Sequence, residues 1–271
     1  ANVSRKFSVT NWLIIMNVVV YFIILFMGIS GVRVENIFAL QANAFFSGSY
    51  WTLLTSMFSH IWLPHLFFNL ISLFFIGSFL EKIIGRKKFF LFYMVSGLFA
   101  GLFYVVLSFY FGNTEMGARI FVNPENYAVG ASGAIFGLAG LIAVLTPKMK
   151  VYLIAGPIFA LILQSILIAI FPDALFMNLV NLLVTVYIFI SIFSIFSFNS
   201  GFRKLGMPLE MHFWLLPIVA IVPLVVIGLF VDLPIGNTAH LGGLIVGLVY
   251  GSYLRKRYKK KTKMISKMFG G

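Results

Sequence analysis

Apolar residues in this chain gather into runs of about 20 that recur along its length, separated by short polar connections. Each run is long enough to cross a hydrocarbon layer roughly 30 Å thick. The pattern predicts eight spanning helices, at about 11–29, 60–80, 89–111, 130–146, 151–171, 174–197, 211–231 and 236–254. The stretch 50–59 is also apolar, so the second span either begins earlier or follows an interfacial segment. None of the connections can fold as a separate soluble domain. The expected architecture is therefore an all-α polytopic membrane protein, one domain over residues 1–271.

Composition agrees with this pattern. Apolar residues make up 61% of the chain and charged residues 10%, too little polar surface for a soluble domain. There is no cysteine, which excludes disulfides, thiolate metal sites and a cysteine nucleophile. The first residues carry no short hydrophobic core followed by a small-residue cleavage site, so no removable signal peptide is expected.

The net charge of +13 acquires meaning from its distribution. With the N-terminus inside, eight spans place Arg5, Lys6, Lys82, Arg86, Lys87, Lys88, Lys148, Lys150, Arg203, Lys204 and every basic residue from Arg255 onward in the cytoplasm. Only Arg33 and Arg119 fall outside, together with the acids Glu35, Glu115, Glu125, Asp173 and Asp232. Removing any one span would scramble this segregation. The reading is N-in and C-in, with 255–271 a basic cytoplasmic tail that anchors topology and touches anionic lipid, not nucleic acid.

Polar groups inside a bilayer are costly unless partnered, so the few within spans are the candidates for chemistry. Gly130-Ala131-Ser132-Gly133 opens the fourth span, placing a serine at a helix N-terminus, where free N–H groups and the helix dipole favour an oxyanion. The same small residues, with Gly137 and Gly140, equally serve close helix packing. In the last span, His240 shares a face with Gly243 and Gly247, and Gly251 follows. That glycine groove admits a close partner helix, which can bring Ser132 and His240 together; a proton relay, a ligand site or a structural hydrogen bond are the alternatives. His65 and Asn69 lie at i and i+4 in the second span and can donate to an oxyanion or bond a neighbouring helix. His60 is read as structural or interfacial, and His212, on the other side of the membrane, as incidental. At about 1.5 Å per residue, Ser132 and His240 lie a few ångströms below the outer surface, and His65 and Asn69 enter from that side. No carboxylate occurs in the spans of Ser132 or His240, so a dyad is expected, not a triad.

Taken in order, HxxxN at His65–Asn69, GxSG at Gly130–Gly133 and AHxxGxxxG at Ala239–Gly247 resemble the rhomboid family of intramembrane serine proteases. Glu81 with Gly85, after the second span, looks like the family's ExxxG pattern. The resemblance implies that Ser132 is the nucleophile and His240 the base. Asn69 and His65, with the Ser132 backbone N–H, would hold the oxyanion, and the Phe136 ring would pack on His240. It gives Gly130, Gly133, Gly243 and Gly247 supporting roles, and makes Asp232–Thr238 a cap-like loop, with 211–231 beside the substrate route. The family's bacterial core has six spans, one of them between the serine and histidine helices. Here there are three, so 151–197 is assigned as an inserted hairpin that preserves the sidedness of His240. The first outer loop, about 30–50, is short and lacks the Trp-Arg pair often seen in the family.

The activity so implied is hydrolysis of peptide bonds in or near transmembrane segments of membrane-protein substrates, in a multi-pass prokaryotic plasma membrane, with the site facing outward. No cofactor and no metal are expected: there is no HExxH, and no second carboxylate is placed near the histidines. The alternatives are a catalytically silent rhomboid-like protein that binds clients and a small-solute transporter. Loss of Ser132 or His240 would mark the first, and an inverted repeat the second; neither is seen.

Overall fold

The computed structural model describes residues 7–171, 176–194, 197–229 and 236–270. Arg5, Lys6, Asp173 and Asp232, used above to orient the chain, lie outside the described residues, as do positions 232–235 of the cap-like loop. The longer helices are α1 (Val9–Ile29), α2 (Leu63–Ile84), α3 (Arg86–Phe111), α4 (Glu115–Phe121), α5 (Ser132–Leu145), α6 (Ala155–Ile170), α7 (Met177–Ser194), α8 (Leu216–Gly228), α9 (Asn237–Arg257) and α10 (Lys259–Gly270). Among the described residues, α1, α2, α3 and α7 are long and apolar enough to span a membrane; α5, α6 and Phe213–Gly228 are shorter apolar helices. The protein is a helical multi-pass membrane protein.

The architecture is not purely helical. Lys150–Ile154 (β1) and Pro208–His212 (β2) pair antiparallel, Lys150 opposite His212 and Ile154 opposite Pro208. The span expected from 151 therefore starts as a strand and becomes helical only at Ala155; the span expected from 211 becomes α-helical at Leu216. An apolar run does not distinguish a short strand from a helix, and the pairing partner of Val151-Tyr152-Leu153-Ile154 lies far along the chain. Pro157 and Pro217 fall in the first turns of α6 and α8, where a missing N–H costs nothing. The second span starts at Leu63, with Pro64 beside it, so His60 precedes the helix.

α1, α2 and α3 are locked at one end by Glu81. Its carboxylate accepts hydrogen bonds from Val9 N (2.9 Å), Thr10 N (2.8 Å) and the Thr10 hydroxyl (2.7 Å), while Arg86 stands 3.6 Å away. A carboxylate at the unsatisfied N–H groups of a helix start meets both the hydrogen-bond need and the dipole. Gly85 turns the chain from α2 into α3 at φ +82°, a left-handed conformation that favours glycine. This accounts physically for the Glu81–Gly85 pair. Between these ends, Leu73–Gly77 forms one wide π-turn within α2.

The core centres on α5, packed between α3 and α9, with Tyr93, Phe89, Leu138, Leu141 and Ile142 fully buried. α9 crosses α5 at backbone contact. A Cβ at Gly243 would fall on the Gly133 carbonyl, and one at Gly247 on the Gly137 carbonyl. Glycine is required at both, because this approach fixes where α9 carries its side chains.

α6 and α7 pack on each other and stand beside this core. α7 reaches it through Phe67 of α2, whose ring lies 5.7 and 5.6 Å from those of Phe189 and Phe193. α8, by contrast, packs against both α5 and α9.

Candidate active site

Ser132 is the first residue of α5, and His240 lies in the first turn of α9. Both helices start at the same end of the bundle, and the glycine crossing draws these starts together. His240 Nε2 lies 2.8 Å from Ser132 Oγ, across 108 residues of sequence. The Phe136 ring, one turn after Ser132, stacks on the imidazole with centroids 4.4 Å apart and planes at 19°. The His240 ring is held between this stack and the serine. Its Nδ1 is buried with no hydrogen-bond partner among the described residues, so no carboxylate or carbonyl there orients the imidazole.

The approach to Ser132 is braced from several sides. Leu40 and Ala128 exchange backbone hydrogen bonds of 2.9 and 2.7 Å. The Tyr104 hydroxyl donates to Asn126 O (2.9 Å), and Gly130 N donates to Ser56 O (2.8 Å). Glu125 accepts from the side chains of Gln41 and Asn43 in the connection between α1 and α2. The Glu125 clamp is not legible in the sequence, because its partners lie more than 80 residues away. Gly130 has φ +124°, which swings the chain sharply into α5.

His65 and Asn69 reach this same turn from α2. A side chain at Gly130 would meet the His65 ring at 2.7 Å and lie 3.7 Å from the Asn69 amide nitrogen. Asn69 Nδ2 donates one hydrogen to His65 O (2.9 Å), leaving its second N–H available. In α5, Ile135 N donates to Ala131 O, so the N–H groups of Ser132, Gly133 and Ala134 precede the first helical bond. The side chains of His65 and Asn69 thus meet the turn at Gly130, two residues before the start of α5 at Ser132. Chemically, the arrangement can move a proton from Oγ to Nε2 while donors face the loop at Gly130.

The remaining histidines separate clearly. His60 is fully buried and packs edge-on against His65, ring centroids 5.0 Å apart, so it braces the His65 ring. His212 is exposed in β2, away from this cluster. Of the cap-like segment, only Gly236–Thr238 is described, and it forms the start of α9.

Comparison with known proteins follows the same outline. The rhomboid-domain family model matches residues 47–187, a stretch holding His65, Asn69, Ser132 and most of the α6–α7 hairpin, while His240 lies beyond it. The chain is 32% identical over 139 residues to rhomboid protease AarA of Providencia stuartii, covering 49% of this chain and 48% of that protein. It is 31% identical over 121 residues to RHOMBOID-like protein 12, mitochondrial, of Arabidopsis thaliana (44% of this chain, 36% of that protein). It is 34% identical over 107 residues to rhomboid protease GluP of Bacillus subtilis (39% and 18%). Each alignment spans less than half of the relative's own length. With the family model matching just over half of the chain, and with these relatives, the chain belongs to the rhomboid family.

Proposed function

We propose that this protein is an intramembrane serine protease that hydrolyses peptide bonds in or near transmembrane segments of other membrane proteins, with Ser132 as nucleophile and His240 as general base. The observation that carries the reading is the 2.8 Å contact between Nε2 and Oγ, held by the Phe136 stack. That two of the relatives are named rhomboid proteases supports it.

In the first half-reaction, Ser132 Oγ bonds to the substrate carbonyl carbon as its proton passes to His240 Nε2. The negative charge appears on the carbonyl oxygen, where the Ser132 N–H, the Asn69 amide and the His65 ring donate to it. Collapse breaks the C–N bond, and the leaving amine takes the proton from Nε2. Water then attacks the acyl-enzyme with His240 again as base, which returns the proton to Oγ as the acid is released. A helical substrate hides its carbonyls in its own hydrogen bonds, so the segment cut must unwind locally.

The topology we propose has eight spans, N-in and C-in, and one domain: a six-helix rhomboid core with 151–197 as an inserted hairpin. The dyad then faces the extracytoplasmic side of a prokaryotic plasma membrane, as the segregation of basic residues supports.

The direct test is fluorophosphonate labelling of the purified protein, comparing wild type with Ser132→Ala and His240→Ala. Labelling lost in both variants supports the dyad. An unlabelled but folded wild type supports instead a silent rhomboid-like protein that binds clients.

A further inference from the structure

The last described helix, α10, is not used by the dyad, and its placement differs from that of a loose basic tail. α9 stops at Tyr258, and the chain turns into α10. α10 then runs beside the far end of α5, and the Phe269 ring packs on Phe79 near the end of α2, centroids 4.9 Å apart. These ends of α9, α5 and α2 are all opposite the ends that carry His240, Ser132 and His65. The helix therefore lies across the helix ends, along the plane in which a membrane surface would run.

Its faces are unequal. Thr262 is buried and Ile265 and Ser266 half-buried against the protein. On the outward side, Lys260, Lys263, Met264, Lys267 and Met268 line a single shallow cleft. Met264 is 58% exposed and Met268 69%, although both are large and apolar. Arg255, Lys256, Arg257, Lys259 and Lys261 are also exposed, and no acid occurs from 236 to 271. Only a partner both anionic and apolar satisfies such a surface, and a phospholipid leaflet is both. It is also continuous with the bilayer that the preceding helices occupy.

We propose that α10 is an interfacial helix that binds anionic phospholipid in the leaflet opposite Ser132: Lys260, Lys263 and Lys267 take headgroup phosphates, and Met264 and Met268 enter the outermost acyl layer. Charge alone brings residues 255–271 near lipid; the folded face specifies which side chains enter it. The binding secures the ends of the serine and histidine helices from below, and it does not depend on the dyad reading.

The chain lacks cysteine, so a single Met268→Cys variant of the full protein can carry one environment-sensitive dye. In nanodiscs containing phosphatidylglycerol, the dye should emit at shorter wavelength and be quenched by a nitroxide placed shallowly on the lipid tails. Each of Lys260→Gln, Lys263→Gln and Lys267→Gln should lower the ratio of inserted to free helix roughly fivefold. A dye equally exposed to water in phosphatidylglycerol and phosphatidylcholine discs would overturn the proposal. So would shielding that persists unchanged in the triple glutamine variant, or shielding seen only when a disc holds two copies. Met264→Cys, labelled in the same way, guards against a local defect at 268.

Discussion

Gly243, three residues beyond His240, lies so close to Gly133, one residue beyond Ser132, that a Cβ on it would fall on the Gly133 carbonyl oxygen. Nothing larger than hydrogen fits between these backbones, so this contact sets the distance between the helix that carries the serine and the helix that carries the histidine. Gly243→Ala should cost about 1–3 kcal/mol of stability by overpacking, and Gly243→Val more. Both should lose fluorophosphonate labelling although Ser132 and His240 are intact. Thermal unfolding in detergent with labelling of the folded fraction checks this; full labelling of Gly243→Val would show that the crossing does not position the dyad.

Apart from the Ser132 contact at Nε2, the Phe136 stack is what holds the imidazole, since Nδ1 has no partner among the described residues. Phe136→Leu keeps bulk but removes the aromatic face, worth about 0.5–1.5 kcal/mol in such pairs. The labelling rate should fall roughly twofold to tenfold, with little change in melting temperature. An unchanged rate would mean that the ring only fills space.

Asn69 faces the turn at Gly130 with one free amide hydrogen. Losing one oxyanion donor typically costs about 10²–10³ in turnover; with His65 and the backbone sharing the charge, Asn69→Ala should slow labelling by roughly tenfold to a hundredfold. His65→Ala should show a similar loss. A rate within twofold of wild type for both variants would remove them from the oxyanion site.

Glu81 sits at the opposite end of α2 from His65, roughly 24 Å along the helix. Glu81→Ala leaves the start of α1 without its acceptor, which should cost about 2–3 kcal/mol, typical of hydrogen bonds to a charged group. The melting temperature should drop, while labelling per folded molecule stays as in wild type. Loss of labelling in the folded fraction would show that the two ends are coupled.

The Lys150–Glu210 pair at the β ribbon gives a pH dependence of defined sign. Lys150, 2.7 Å away, and the Tyr152 hydroxyl hold the Glu210 carboxyl below the usual carboxylate range. Because the folded value is depressed, the stabilisation is fully present above the ordinary carboxylate range and is lost as pH falls through the lowered folded value. Both side chains are exposed, so the effect is small. Melting curves of wild type and Glu210→Gln should differ slightly at neutral pH and converge in acid; curves that stay parallel would show that the pair contributes nothing.

Much of this molecule was legible in its sequence. Long apolar runs define spanning helices because a bilayer gives unpaired backbone groups no partner, and a helix of sufficient length pairs its own. The rarity of polar groups in those runs singled out Ser132, His240, His65 and Asn69, since each is costly there without a purpose. Small residues at Gly243 and Gly247 announced a close helix crossing. Other features needed the fold. Val151–Ile154 reads as helix or strand with equal ease, and only pairing with Pro208–His212 decides. Glu81 shows its role only once folding brings the start of α1 to it, and Glu125 only once the connection between α1 and α2 returns to the segment before Ser132. Residue type and period are local properties, carried by the sequence at each position. The 2.8 Å between Nε2 and Oγ is a distance across 108 residues, and only the packing of α5 on α9 determines it.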